Sequence, residues 1–286
     1  MNAASIPATL RSEPLMQRLR TVASRVLADA RLYQVSFLCV FLTYGIAVLG
    51  WDLDLLKFAV TFGVCLLTQI VFVSATTGDY YSLLSAGISS LSLCLMLKTG
   101  LPEVAALAAF LSIAGKFIFR ANGKHFFNPT NFGICVTILL TGDAWISPGQ
   151  WGSNAFLLLL IGTLGMLVLI RVRRFDTAFA FLAAYAGSLF IRHVLYQGWP
   201  PDFMLHTLQS GTLLLFTFFM ITDPVSTPSH PFARIGWAAA VGFLAFALQS
   251  YWFVNGSPLW ALFFLSPFTI LLDYRFKHSN FKWKQI

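Results

Sequence analysis

Charge is what this sequence has least of. Asp, Glu, Lys and Arg make up 10% of its 286 residues, against about 25% in an ordinary soluble domain. So few charges cannot cover a globule with polar surface, which excludes a soluble enzyme and a disordered chain. Cysteine is also sparse. Cys39, Cys65, Cys94 and Cys135 all fall in apolar stretches without a C-x-x-C pair, which argues against a disulfide scaffold or a zinc site and for small buried apolar side chains. The five histidines do not fall at metal-ligand spacing, and there is no Walker-type or dinucleotide fingerprint. No Ser–His–Asp or Cys–His arrangement can be argued from the order of residues, so nothing supports a hydrolase or an ATPase.

Apolar residues are what is abundant: 57% of the chain is hydrophobic and 16% aromatic, with a mean hydropathy of +0.74. At about 20 apolar residues per span, this length accommodates roughly ten helices joined by short loops. The apolar runs fall near 32–50, 55–75, 80–97, 102–120, 129–142, 155–171, 175–195, 205–222, 232–250 and 258–273, the third and fifth being short. Residues 1–31 carry Arg11, Arg18, Arg20, Arg25 and Arg31 and lack the apolar core of a signal peptide. Around 15–28 this segment reads either as an interfacial amphipathic helix or as a basic tail.

The net charge of +8 is spread in small groups between apolar runs, not in the contiguous basic patch that nucleic acid requires. With both termini inside, an even number of spans leaves only Lys57, Lys98 and Arg192 of the 19 Lys and Arg on the outer side. The outer loops instead hold Asp52, Asp54, Glu103, Asp143 and Asp202 with Trp51, Trp145, Trp151, Trp199 and Trp252. Such an asymmetry is the signature of cytoplasmic loops that collect positive charge and of interfacial aromatic belts. Ten spans divide at the polar stretch 143–154 into two sets of five. Because five is odd, the second set is inverted relative to the first, as in many transport folds.

The expected architecture is therefore an all-α integral membrane protein with about ten transmembrane helices in two inverted five-helix repeats, some short or broken. A basic cytoplasmic segment (1–31), a first repeat (32–142), an outer connection (143–154), a second repeat (155–273) and a basic tail (274–286) follow in order.

Two polar stretches stand out. The first runs from Gly115-Lys116 through Gly123-Lys124-His125 to Asn128-Pro129-Thr130-Asn131-Phe132-Gly133. Asn128 is placed to cap a helix that opens on Pro129, and the uncapped N–H groups and dipole of that helix would suit a phosphate or carbonyl beside Lys116 and Lys124. The plainer reading is a positive-inside loop with a helix cap. The second stretch, Phe218-Phe219-Met220-Ile221-Thr222-Asp223-Pro224-Val225-Ser226, ends an apolar run on a carboxylate. A carboxylate there must be paired, solvated or functional: Asp223 is a cap, a cation ligand or a salt-bridge partner. Asp273, followed by Arg275 and Lys277, reads as an interfacial anchor. The two Asx-Pro steps, Asn128-Pro129 and Asp223-Pro224, would be matching punctuation in the two repeats.

At these stretches the chain resembles the NqrB/RnfD family, the membrane subunits of sodium-pumping NADH:quinone oxidoreductase and of the Rnf electron-transport complex. Leu271-Leu272-Asp273-Tyr274 is similar to that family's ending, and the resemblance runs over about 35–278. It implies a urea-channel-like pair of inverted repeats, flavin-mediated electron transfer, partner redox subunits and a bacterial inner membrane. The family's covalent flavin mononucleotide is carried by a threonine in a Ser-x-Ala-Thr type motif between the repeats. The stretch 141–154 has no such motif, and Ser74-Ala75-Thr76-Thr77 falls on the wrong side of the expected topology. Covalent FMN is accordingly not expected, and the short chain is more similar to stand-alone relatives such as the membrane proteins of enediyne biosynthesis clusters.

Three readings remain in play: an electron-carrying or non-catalytic redox subunit with a noncovalent flavin (FMN or riboflavin) or quinone, a transporter or channel for a small solute on the same scaffold, and a scaffold that binds partner subunits and does neither. For either of the first two, Lys116 and Lys124 would hold a phosphate or carbonyl, Asn128, Thr130 and Asn131 would present the helix start, and Thr212, Thr222 and Asp223 would line the matching site in the second repeat.

Overall fold

The computed structural model describes residues 29–76, 78–151 and 155–281. Residues 1–28, with the interfacial helix expected at 15–28, and Thr77, 152–154 and 282–286 lie outside the described residues. The chain is a multi-pass membrane protein built mainly of helix. The first half contains α1 (Ala30–Ala47), α2 (Leu55–Ala75), α3 (Leu83–Met96, entered through a 3₁₀ turn at Tyr80–Ser82), α4 (Pro102–Ile118) and α5 (Pro129–Thr141). The second contains α6 (Ala155–Val172), α7 (Phe175–Leu189, continued by a π-helical stretch Phe190–Tyr196), α8 (Pro201–Leu208), α9 (Gly211–Leu215, continued by a π-helical stretch Phe216–Met220), α10 (Pro231–Trp252), α11 (Ser257–Leu265) and α12 (Phe268–Arg275).

Each of the ten apolar runs therefore coincides with a helix or a helix pair. By length and composition, four helices among the described residues can cross a bilayer, or six if each bent pair counts once. The run expected at 205–222 is broken between α8 and α9 by a 57° bend, and the last run is bent by 49° between α11 and α12, at Ser266-Pro267. Proline explains the second bend, since it removes a backbone donor and cannot sit in a straight helix interior.

Helix starts follow local chemistry. Asp29, Asp54 and Asn128 accept hydrogen bonds from the first-turn amides of α1, α2 and α5, and proline opens α4, α5, α8 and α10. Large apolar side chains such as Leu67, Val71, Leu139, Ile191, Phe243 and Leu271 face outward. Small or polar ones, including Ser89, Ser90, Ala108, Ala109, Ser112, Ala238 and Ala245, are buried between helices. This arrangement suits helices packed in lipid, where association rests on close backbone approach. Gly133 shows why: a Cβ there would sit 2.6 Å from the Ala108 carbonyl, so only glycine lets α5 pack on α4. Cys65, Cys94 and Cys135 are buried as expected, but Cys39 is exposed on the outer face of α1.

Packing pairs recur in the two halves: α1 with α3, α2 with α4 and α4 with α5, then α6 with α9, α7 with α10 and α10 with α11. Two small ladders tie the loops. β1 (Leu97–Thr99) pairs antiparallel with β4 (Ala144–Ile146), so the connection expected at 143–154 begins as a strand. β2 (Arg120–Ala121) pairs with β3 (Lys124–His125) across Asn122-Gly123, both residues having positive φ (52° and 80°). That is the backbone of a type I′ hairpin, for which Asn-Gly is the favoured dipeptide.

Candidate functional site

The first polar stretch is folded by that hairpin. It turns Lys124 and His125 back toward the segment that follows α9. Lys124 Nζ donates to the Thr227 carbonyl at 2.6 Å and to Ser229 Oγ at 3.2 Å, and pairs with Asp273 Oδ2 at 2.7 Å. His125 Nε2 lies 3.5 Å from Asp223 Oδ2. Asn128 donates through Nδ2 to the Met220 carbonyl at 3.2 Å while its Oδ1 accepts from Asn131 N at 3.1 Å. Met220 ends a π-helical stretch, a geometry that is often found at functional sites. The two Asx-Pro steps are thus neighbours at one site.

The segment 223–231 has little regular structure, and its carbonyls need donors. Basic side chains supply them: Arg174 Nη2 to Pro224 at 3.2 Å, Lys124 to Thr227, and Arg234 Nη1 to Ser229 at 3.3 Å. Arg234 is also ion-paired with Asp176. Asp273 accepts from Ser229 N at 2.8 Å as well as from Lys124, so it is a buried partner of the first motif and not an anchor beside Arg275 and Lys277. Burial pushes the Arg174 guanidinium down to about 10, helped by repulsion from Arg234. Burial also lowers the Lys124 ammonium, against the opposing pull of Asp273. For Asp223, burial works to raise the carboxyl, but the hydrogen bond and charge of His125 and the Val225 amide outweigh it and hold it below its usual range.

Beside these contacts lies a cavity of about 400 Å³, within the size range of small-molecule sites. Lys116, His125, Asn128, Thr130, Thr222 and Asp223 line it together with Ser82, Ser85, Ser89 and Ser92 on the α3 side. Val168, Val172, Phe218 and Phe219 form an apolar wall. Lys116 Nζ donates to Ser85 Oγ at 2.9 Å and Gln69 Oε1 at 3.3 Å. Among the described residues it has no carboxylate partner within ion-pair distance.

Five of the eight residues expected at a site are therefore brought together: Lys116, Asn128, Thr130, Thr222 and Asp223. The Thr222 hydroxyl already donates to the Phe218 carbonyl at 2.7 Å. Lys124 is not available to a ligand phosphate, because its donors go to Thr227, Ser229 and Asp273. Asn131 is fully buried in α5 without lining the cavity. Thr212 faces a different cavity altogether. Sequence reading missed Ser85 and Gln69, which carry no motif, and the role of His125, for which the Asn122-Gly123 turn signal was the available clue. It also missed Arg31 and Tyr81 on the cavity wall, where the Tyr81 hydroxyl and the Arg31 guanidinium meet on Asp29.

The family model for the NQR2, RnfD, RnfE family matches residues 139–282, which contain the Asp223 and Asp273 motifs but not the Gly115–Gly133 stretch. Curated relatives are subunits D of ion-translocating oxidoreductase complexes. That of Halorhodospira halophila is 27% identical over 45% of this chain and 35% of its own length. That of Vibrio cholerae is 27% identical over 46% of this chain and 36% of its own, and that of Yersinia pestis 29% identical over 48% and 36%. The matched stretch thus spans little more than a third of these relatives.

Proposed function

The chain belongs to the NQR2, RnfD, RnfE family, and from that premise we propose that it is a membrane subunit of an oxidoreductase assembly, holding a flavin (FMN or riboflavin) or a quinone noncovalently in the cavity beside Lys116. The observation that carries this reading is a half-buried cation, hydrogen-bonded to Ser85 and Gln69, in a cavity whose apolar wall includes Phe218 and Phe219. A planar ring with electron-rich carbonyls fits that pairing of an apolar face and a fixed positive charge. When bound, the ring supplies the electron-transfer chemistry. Lys116 holds its carbonyl or phosphate, Ser85 and Gln69 fix the ammonium, and the start of α5 at Asn128 and Thr130 directs its positive dipole end toward the same space. His125 and Asp223, 3.5 Å apart, line the same space, as do Arg31 and Asp79.

The recurrent helix pairings support two inverted five-helix units, the charge asymmetry supports cytoplasmic termini, and membership of the family supports a bacterial inner membrane. Partner subunits would deliver and remove electrons. The bends at α8–α9 and α11–α12 favour one second reading, a transporter or channel for a small solute, since broken helices line transport sites.

The absorption and mass spectra of the protein purified in detergent test the proposal. A noncovalent flavin or quinone, or stoichiometric uptake of added riboflavin or ubiquinone, is expected. A colourless preparation that takes up neither overturns it, and solute flux into proteoliposomes without an electron donor would favour the second reading.

A further inference from the structure

A second cavity, of about 440 Å³, lies where the bend between α8 and α9 meets the start of α11, and its walls include His206, Ser210, Thr212, Gln249 and Ser257. Among the described residues, no Asp or Glu lines it. Gly256, Ser257 and Pro258 bring the N-terminus of the nine-residue α11 to its edge, and no side chain caps that helix. A helix start directs N–H groups and a positive dipole end outward.

Thr212 is the second, independent observation. It is 5% exposed, it lines this cavity, and its hydroxyl has no hydrogen-bond partner among the described residues. Farther along the same run, Thr217 and Thr222 return their hydroxyls to carbonyls one turn behind at 2.7 Å. Thr212 has no such outlet, because the residue one turn behind it is Leu208, which closes α8 across the 57° bend. A buried hydroxyl left without a partner requires an explanation, and a bound ligand is one.

The walls are also held in shape. Gly256 has φ +66° and any Cβ there would collide with Ile146, while Asn255 Nδ2 donates to the Ile146 carbonyl at 2.9 Å. These contacts fix the loop before α11 against β4. Gln249 accepts the Tyr185 hydroxyl on its side-chain oxygen, which orients its amide nitrogen as a donor.

We propose that this cavity binds a small oxyanion group, a carboxylate or phosphate, which accepts from the Thr212 hydroxyl and rests on the N-terminus of α11 beside His206. The group could belong to a free anion or to a lipid headgroup, and the two are separable.

The test uses the full chain purified in neutral detergent. Thermal unfolding is followed against potassium acetate or potassium phosphate at ionic strength matched with chloride, and again in nanodiscs of phosphatidylcholine with or without phosphatidylglycerol. A free oxyanion raises the Tm of the wild type and of Thr212→Ser, with an apparent affinity about tenfold weaker in Thr212→Val, as loss of one hydrogen bond to a charged group predicts. Stabilisation by phosphatidylglycerol alone, lost in Thr212→Val, assigns the site to a lipid headgroup. His206→Gln is the second variant should Thr212→Val fail to fold, and it should weaken the same response. Lack of any oxyanion or lipid response in the wild type, or an unchanged response in a folded Thr212→Val or His206→Gln, overturns the proposal.

Discussion

The Asn128 side chain donates to the Met220 carbonyl at 3.2 Å and, with its other atom, caps the helix that opens on Pro129. One amide thus fixes where α5 begins and where the π-helical end of α9 stops, joining residues separated by 92 positions in sequence. Three neighbouring contacts do the same work: His125 with Asp223, Lys124 with Thr227, and Lys124 with Asp273. The cavity wall beside Lys116 depends on these contacts holding the two halves in register.

Replacing Asn128 with Ala removes both the cap and the link. A lost cap costs about 1 kcal/mol and an unsatisfied buried carbonyl about 1–3 kcal/mol. Thermal unfolding in detergent should show a destabilisation of that combined size. Asn128→Asp retains an acceptor for Asn131 N but loses the donor to Met220, so it should fall between wild type and Ala. Equal stability of all three would mean that the link contributes nothing.

Lys116→Met should reduce riboflavin or ubiquinone binding at least tenfold while leaving unfolding little changed, because the ammonium has only neutral partners to lose. Titration by fluorescence quenching measures the first quantity and a thermal melt the second. Undiminished binding would remove Lys116 from the site.

Lys124 and Asp273 are both nearly buried, with side chains 7% and 8% exposed. Removing one partner strands the other, at a cost of about 3–5 kcal/mol. Lys124→Met and Asp273→Leu should each destabilise strongly, and the double variant by clearly less than their sum. Additive effects in a double-mutant cycle would contradict a direct pair.

Asp223 makes stability depend on pH. Its carboxyl titrates below the ordinary value of 3.8 in the folded protein, so the folded state favours the ionised form. That contribution is present in full above the unfolded pKa and is lost as pH falls through the folded one. Melting curves of wild type and Asp223→Asn should therefore differ in full above the ordinary carboxylate range and converge as pH falls below it. Asp223→Asn should also impair function without preventing membrane insertion. A gap that persists unchanged at low pH would show that ionisation of Asp223 is not the source.

By itself, the sequence determined that this is a helical membrane protein, and it located the helices. Hydropathy is a one-dimensional signal, so the ten apolar runs match the helical runs, and the local chemistry of Asn128-Pro129 marks a helix start that the structure keeps. It also singled out Lys116, Asn128, Thr130, Thr222 and Asp223. What it could not convey is which partner each polar side chain meets, because that depends on how helices pack across separations of about 100 residues, as between Lys124 and Thr227. Sorted only by side, the basic residues read as orientation signals. In the folded chain Lys124, Arg174 and Arg234 also donate to the carbonyls of Thr227, Pro224 and Ser229, since a buried carbonyl needs a donor. Tertiary structure alone placed Thr212 in a second cavity, put Asp273 on Lys124, and set Lys116 in a cavity with an apolar wall.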